Sequence, residues 1–192
     1  MKPIGLDGFE RTFLASRDPW ATFTNRDEAR KRRAILRALG PGKRGRVLEL
    51  AAGNGSNSVA FAARALRLDA TEGTAEGARL VAEALPASRR HRGLRLVLPA
   101  RPPRAAYDAI VVAELLYYLS PRDMRVVARD MAAVLRPGGR LVLAHHRVDF
   151  HDFAQHADGI HARFLRATRR RWRAGRTMRN RRWLVTGYDA CG

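Results

Sequence analysis

The stretch VLELAAGNGSNSV, residues 47–59, has the pattern of a buried strand, a tight glycine turn and the start of a helix. Its apolar run carries one acid, Glu49, and breaks at the turn 53–55. Such a junction suits an anionic or zwitterionic cofactor, because glycines let backbone N–H groups approach and the helix start adds partial positive charge. A plain connection between strand and helix is the alternative, since Ala51 replaces the first glycine of a stricter dinucleotide fingerprint.

Helical and strand patterns alternate on both sides of this stretch. Helical stripes predict helices at 25–39, 74–85 and 121–135. Asn25, Thr74 and Ser120 are the expected N-caps, and Glu28 and Asp123 stand at capping-box spacing from Asn25 and Ser120. Short apolar runs predict further strands at 66–71, 94–98, 109–113, 141–144 and 182–188. Such alternation favours right-handed crossovers and an α/β fold, in which helices cover both faces of a mostly parallel sheet.

Several chemically useful residues fall where the predicted strands end. Ligands of open α/β sheets bind beyond the carboxyl ends of the strands, and the glycine turn, Glu72, Glu114 and His145 all lie at that edge. Glu72 follows Glu49 by about 20 residues, the spacing at which an acid accepts hydrogen bonds from both ribose hydroxyls of a nucleotide. A solvated loop carboxylate is the alternative interpretation of Glu72.

The chain is strongly basic, with 37 lysine and arginine residues, 18 acids and a formal charge of +19. Nearly all the basic residues are arginines, which a GC-rich genome would also produce, so solvated arginines and a nucleic-acid partner are both open. A C-terminal cluster comprises Arg166, Arg169, Arg170, Arg171, Arg173, Arg176, Arg179, Arg181 and Arg182. Its field could steer an anionic substrate.

Length and cysteine content bound the class of protein. The 192 residues fit a single domain, and Cys191 is the only cysteine, which excludes a disulfide framework within one chain. No stretch approaches the roughly 18 apolar residues of a membrane span, and the N-terminus lacks a secretory apolar segment. We therefore expect a soluble, cytoplasmic protein with no membrane contact.

Five of the six histidines crowd into one segment, and they are His145, His146, His151, His156 and His161. The regular five-residue gaps place side chains on different sides of a helix, and no carboxylate set accompanies them, so we predict no metal site. Histidines on a lid over the strand ends can instead orient a substrate or relay a proton at neutral pH.

These motifs together resemble the class I S-adenosylmethionine-dependent methyltransferases, the seven-stranded Rossmann-like group. Residues 47–59 look like the first motif of that family, and Glu72 looks like its ribose acid. YDAIVVAELLYYL at 107–119 is similar to the fourth-strand motif, and LRPGGRLVLAHH at 135–146 is similar to the signature that enters the fifth strand. The resemblance implies a doubly wound, mostly parallel seven-stranded sheet with an N-terminal helical lid.

A narrower resemblance points to the nodulation protein S family of small N-methyltransferases. It is carried by DPW at 18–20, by Glu28 with Lys31, and by DGIH at 158–161. Members of that family act on an amine of a chitooligosaccharide or are uncharacterised. Within the single domain 1–192 we expect an N-terminal lid at 1–24, a cofactor-binding core at 25–146, and a substrate lid with C-terminal strands at 147–192.

The resemblance also implies a site for S-adenosylmethionine. Its expected residues are Trp20, Glu49, Ala51, Gly53, Asn54, Gly55, Glu72, Gly73, Pro99, Ala100, Ala113 and Glu114. Two departures from the family pattern stand out. Ala51 replaces a usual glycine, and the third strand ends without the acid that commonly binds the adenine amine, so backbone groups at 99–100 or a water molecule are expected to substitute.

The expected reaction is methyl transfer to an amine or hydroxyl of a small molecule, either an anionic compound or an aminosugar. The acceptor would enter between the N-terminal segment and residues 146–165. Candidate proton acceptors are Glu114, His145, His146 and His161. Two alternatives stay open: a nucleic-acid methyltransferase that docks through the C-terminal arginines, and a non-catalytic cofactor-binding protein. The sequence leaves the oligomeric state open.

Overall fold

The computed structural model describes residues 3–191, in which helices alternate with strands as the sequence predicts. The helices are α1 (Leu6–Ala15), α2 (Arg26–Leu39), α3 (Ser56–Ala62), α4 (Ala75–Ala84), α5 (Pro121–Val134) and α6 (Ile160–Ala167). The strands are β1 (Arg44–Leu50), β2 (Ala65–Glu72), β3 (His91–Arg95), β4 (Tyr107–Ala113), β5 (Leu135–His146), β6 (Trp172–Ala174), β7 (Met178–Arg179) and β8 (Trp183–Ala190).

One sheet joins the strands in the order β3-β2-β1-β4-β5-β8-β6. The first five strands are parallel, whereas β8 is antiparallel to β5. This confirms the predicted Rossmann-like, mostly parallel sheet, and the two-residue β7, which pairs with β8 off the seven-strand path, makes an eighth strand. The strand order reverses between β1 and β4, so a crevice opens at their carboxyl ends.

Both faces of the sheet are buried. Helices α2, α3 and α4 cover one face, and α5 and α6 cover the other. On β1, Val47 packs into the first core and Leu48 into the second, and neither side chain is exposed. Because both faces are apolar, burial of one face alone does not determine the register of β1, and the residue-by-residue pairing with β2 and β4 does. The ladders on both sides therefore fix where the glycine turn begins.

The predicted helix caps are present. Asn25, Thr74 and Ser120 each accept a hydrogen bond from a backbone N–H two or three residues on, at 2.8, 3.1 and 3.1 Å. The expected capping-box contact between Glu28 and Asn25 was wrong, because the Glu28 carboxylate instead accepts a hydrogen bond from Lys31.

Two strand boundaries were also wrong. The third strand lies at 91–95 rather than 94–98, since the chain leaves the sheet after the N–H of Leu96 donates to the carbonyl of Glu72 at 2.8 Å. The fifth strand begins earlier than predicted, at Leu135, because that residue already pairs with β4.

Candidate active site

A cavity of about 620 Å³ opens at the carboxyl ends of the central strands, a size typical of small-molecule sites. The predicted residues that line it are Trp20, Ala51, Gly53, Asn54, Glu72, Gly73, Ala113, Glu114 and His146. They come from the N-terminal segment and from the ends of β1, β2, β4 and β5. The fold therefore gathers at one edge residues that are far apart in the sequence.

The glycine turn forms part of the cavity wall directly after β1. Ala51, Gly53 and Gly55 have φ angles of +52°, +62° and +83°, all in the left-handed region. Glycine adopts this region freely, whereas a residue with a Cβ pays about 1–2 kcal/mol. The departure from the family pattern at Ala51 thus falls at a position whose backbone favours glycine.

We expect the substitution Ala51→Gly to raise the free energy of unfolding by about 0.5–1 kcal/mol. Relief of the left-handed strain outweighs the greater entropy of glycine in the unfolded chain. Urea unfolding of both proteins measures the difference. A variant less stable than the parent would contradict this account of Ala51.

Glu72 ties the glycine turn to the end of β2. Its carboxylate accepts the N–H of Gly53 at 3.0 Å and the N–H of Thr74 at 3.1 Å. The side chain is only 7% exposed, and burial raises its pKa against the effect of these hydrogen bonds. A Cβ at Gly77 would come within 2.7 Å of Glu72 Cγ, so a glycine at this position leaves the room that the Glu72 side chain needs.

The segment that carries Trp20 is anchored to the glycine turn by Asp18. The Asn54 side chain donates to Asp18 Oδ1 at 2.8 Å, and the N–H of Thr22 donates to the same oxygen at 2.7 Å. Burial would raise the pKa of Asp18, but its hydrogen bonds outweigh burial and lower it. These contacts hold the Trp20 ring against Phe13, 5.4 Å between centroids, beside the cavity.

Glu114, directly after β4, has the densest polar contacts in the cavity. Its carboxylate accepts a hydrogen bond from Lys31 Nζ at 2.8 Å, another from the hydroxyl of Tyr117, and the N–H of His146 at 3.3 Å. Its φ of +53° lies in the left-handed region, which a glutamate adopts only at a cost. Strain of this kind concentrates at functional sites.

Lys31 is a buried cation, although the sequence indicated it only as the partner of Glu28 in the narrower family resemblance. Its ammonium bridges Glu114 and Glu28, at 2.8 Å to each. Burial alone would lower the pKa of Lys31, but the two carboxylates outweigh it and raise the pKa. The lysine is therefore charged, and it fixes the position of the Glu114 carboxylate.

Aromatic side chains form one wall of the cavity, which the sequence did not predict. Tyr117 stacks on Phe153 with centroids 3.7 Å apart, and Tyr118 meets Phe9 edge-on at 4.9 Å. Phe150 lies 5.4 Å from Phe153. The three contributing segments are α1, the turn after β4 and the loop after β5, so only the tertiary fold brings them together.

His145 and His161 do not line the cavity, although we predicted both as proton acceptors. Both are buried, and His145 Nδ1 lies 3.0 Å from His161 Nε2. His145 Nε2 accepts the backbone N–H groups of Leu115 and Leu116 at 3.4 and 3.2 Å, so the proton of this ring resides on Nδ1. The pair supports the turn that carries Glu114 and Tyr117 from beneath.

Burial keeps this histidine pair neutral, with a consequence for stability. It lowers the pKa of His161 to about 3 and, together with neighbouring positive groups, that of His145 well below its usual value. The folded state therefore has its full stability, as far as these two rings are concerned, above the unfolded pKa of about 6.5. It loses stability as the pH falls from there towards 3, because the unfolded chain then binds protons that the buried rings do not. We expect stability to fall by up to about 1.4 kcal/mol per pH unit for each histidine.

Melting temperatures of the parent and of His161→Gln between pH 7 and pH 4 test this expectation. The variant should lose stability less steeply on acidification, because one titrating ring is gone while an acceptor for His145 remains. Equal slopes would show that the pair does not cause the acid sensitivity.

Four residues predicted for the cofactor lie outside the cavity wall. Glu49 is buried behind it and contacts Ser58 at 2.5 Å, and burial raises the pKa of Glu49 to about 8. Gly55 packs on α4, where an added Cβ would meet Val81 at 3.1 Å. Pro99 and Ala100 lie beyond the lining, which at this side consists of Leu96, Val97 and Leu98.

The comparisons with known proteins agree with this architecture. A family model described as a methyltransferase domain matches residues 23–186. No curated protein matches the sequence of the chain.

Several solved structures share this fold. N-methyltransferase NodS from Bradyrhizobium japonicum, in complex with S-adenosylhomocysteine, has a TM-score of 0.83 at 21% identity, over 96% of this chain and 97% of that one. A putative methyltransferase from Pseudomonas syringae has a TM-score of 0.73 at 25% identity, over 86% and 99% of the two chains. The DhpI complex with S-adenosylhomocysteine has a TM-score of 0.74 at 18% identity, over 97% and 95%.

The fold together with the matching family model thus defines a class I methyltransferase. Structures of this fold hold S-adenosylhomocysteine, which indicates S-adenosylmethionine as the cofactor of the fold. The chain belongs to the methyltransferase domain family, because the family model covers most of its length.

Two other kinds of feature are absent from residues 3–191. These residues contain no group of three or more histidine, cysteine, aspartate or glutamate side chains arranged to hold a metal ion. They also contain no helix with the length and apolar character that a membrane span requires.

Proposed function

We propose that this methyltransferase moves a methyl group from S-adenosylmethionine to the amine nitrogen of a small molecule. The part of the cavity next to the glycine turn suits S-adenosylmethionine. There the Glu72 carboxylate stands at the tip of β2, where it can accept hydrogen bonds from the ribose hydroxyls. At Gly53 an added Cβ would meet only Phe13, at 3.8 Å, so the backbone is open to a ligand. When bound, the cofactor supplies a methyl carbon already activated by the sulfonium.

The charge of the cavity is the observation that carries the choice of an amine. Although the chain has a formal charge of +19, five carboxylates line the cavity, those of Glu28, Glu72, Glu114, Asp123 and Asp152. The one lysine among the lining residues already pairs with two of these acids. An acidic cavity attracts an ammonium group and repels an anion. It therefore supports the aminosugar type of acceptor and not the anionic one.

The aromatic wall supports the same choice. The rings of Phe9, Tyr117, Tyr118 and Phe153 line the same cavity as the carboxylates of Glu114 and Asp152, and the hydroxyl of Tyr117 donates to Glu114. Aromatic faces attract a cation, and the attraction grows when water is excluded. An ammonium group can thus be held by ring faces on one side and carboxylates on the other.

An ammonium group must lose a proton before its nitrogen can attack. Of the four predicted proton acceptors, Glu114 and His146 line the cavity. We propose Glu114 as the group that orients the amine and accepts its proton, because Lys31 and Tyr117 hold its carboxylate in one position. The other task of the protein is to align nitrogen and methyl carbon, which supplies much of the rate acceleration. The predicted N-terminal lid, residues 1–24, and the substrate lid predicted at the start of 147–192, before the C-terminal strands, would exclude water.

Pairs of acceptors that differ only in the reacting group test the proposal. The purified protein would be incubated with S-adenosylmethionine and either glucosamine or glucose, and likewise with small amines and the alcohols of the same carbon skeleton. Release of S-adenosylhomocysteine with amines and not with their matched alcohols is expected. Turnover only with alcohols, or only with carboxylate-bearing acceptors, would refute an amine acceptor.

A further inference from the structure

The outer face of α2 carries a row of exposed arginines. Arg26, Arg30, Arg33 and Arg37 recur at spacings of four, three and four residues, which places them on one side of the helix. The opposite side, with Ala34, Ile35, Ala38 and Leu39, is buried against the sheet. The row extends for about 16 Å along the helix axis.

The row continues onto the arginine-rich C-terminal segment. Asn180 donates to Asp27 at 3.0 Å, and the Trp183 ring N–H donates to the same carboxylate at 3.2 Å, so the segment between β7 and β8 lies beside the start of α2. That segment and the residues just before it add Arg176, Arg179, Arg181 and Arg182, all exposed. The two acids of α2 are already engaged, Asp27 as above and Glu28 with Lys31.

None of these eight arginines has a carboxylate within 4.0 Å among residues 3–191. Other members of the C-terminal cluster have structural partners: Arg170 donates to the carbonyls of Ala132 and Leu135, and Arg173 pairs with Asp189. The surface of α2 and residues 176–182 thus forms a patch of positive charge, and the carboxylate between its two parts, that of Asp27, has neutral hydrogen-bond partners. We call this patch the α2 arginine surface.

We propose that the α2 arginine surface binds the phosphate backbone of double-stranded nucleic acid, independently of base sequence. Guanidinium groups suit phosphate because they offer several N–H donors in one plane. The arginine row of α2 has no aromatic side chain for base stacking, so contacts go to phosphates. The apolar side of α2 is buried and cannot insert into a lipid surface, which disfavours a membrane.

This surface is separate from the cavity. The four arginines of the α2 row and the four of the C-terminal segment do not line the cavity. The proposed binding is therefore a second activity of the chain and does not make the nucleic acid the methyl acceptor.

A matched pair of triple variants tests the proposal. The first is Arg30→Gln, Arg33→Gln and Arg37→Gln on α2. The second is Arg122→Gln, Arg125→Gln and Arg129→Gln on α5, which covers the other face of the sheet, with the same spacing and the same loss of charge. Fluorescence anisotropy with a labelled double-stranded DNA, titrated over a range of salt concentrations, measures binding.

We expect the α2 variant to bind at least about tenfold more weakly than the parent at low salt, with the slope of log K against log salt reduced by about 2–3. The α5 variant should bind nearly as the parent does. Equal losses in both variants would reduce the effect to net charge and overturn the proposal, as would the absence of binding by the parent. Preferential binding to vesicles of anionic lipid would overturn the assignment of the partner.

Release of S-adenosylhomocysteine in the amine assay, measured in parallel, keeps this proposal distinct from the proposed function. Both triple variants should retain it, because their substitutions lie outside the cavity. Failure of the amine assay with intact DNA binding would refute only the methyl-transfer proposal.

Discussion

The substitution Glu72→Ala is expected to weaken the binding of S-adenosylhomocysteine by about 100-fold. Two effects add: the ligand loses the carboxylate that would accept its ribose hydroxyls, and the glycine turn loses the acceptor for the Gly53 N–H. Hydrogen bonds to a charged acceptor contribute roughly 1.5–3 kcal/mol each, which gives this order of magnitude. Isothermal titration calorimetry measures the dissociation constant.

Glu83→Gln is the matched control for Glu72→Ala. Glu83 is an acid on the neighbouring helix α4, but it is exposed and contacts Arg79 and Arg17 on the surface. Its loss should leave the affinity unchanged. Circular dichroism of both variants separates loss of binding from loss of fold. Binding by a folded Glu72→Ala variant within a factor of about 3 of the parent, a difference below 1 kcal/mol, would remove Glu72 from the cofactor site.

The substitution Glu114→Gln is expected to lower kcat for the amine acceptor by about 100-fold or more, the usual contribution of a positioned general base. Glutamine keeps the size of the side chain and an oxygen for Lys31, but it cannot take up a proton. Steady-state kinetics at saturating cofactor separates the effect on kcat from that on KM.

The companion variant His146→Gln decides between the two cavity-lining candidates. If Glu114 is the acceptor, His146→Gln should keep most of the activity, because the His146 ring, 3.7 Å from the Glu114 carboxylate, would then not take up the proton. Full activity of Glu114→Gln together with loss of activity in His146→Gln would transfer the role to the histidine.

The features that the sequence predicted are those that local rules determine. The strand, turn and helix at 47–59, the caps at Asn25, Thr74 and Ser120, and the position of Glu72 at a strand end all follow from short-range patterns. A parallel sheet then places the strand ends at one edge, which predicts where the cavity lies.

The features that the sequence did not reveal depend on contacts between distant segments. Lys31 reaches Glu114 across 83 positions of the chain, and this contact buries a charge that looks like part of an ordinary basic helix. His145 stands at a strand end as predicted, yet its ring turns beneath the cavity to His161. The left-handed backbone of Glu114 has no sequence signature, because glycine is absent there.

The acidity of the cavity is the clearest example of this limit. The composition of the chain suggests an anionic partner, since basic residues outnumber acids by about two to one. The fold instead distributes these charges unequally, with carboxylates in the cavity and unpaired arginines on the outer face of α2. The positive net charge of the chain therefore does not predict the negative charge of the side chains that line the cavity.

The position of the transferred methyl group is the most direct test of the central claim. The purified protein would be incubated with ¹³C-methyl S-adenosylmethionine and a pool of small amines and aminosugars, and the products analysed by NMR. The account predicts a labelled N-methyl group in the product, formed by the parent and lost in Glu114→Gln. A label on oxygen or carbon, or its formation by the variant at the parent's rate, would contradict it.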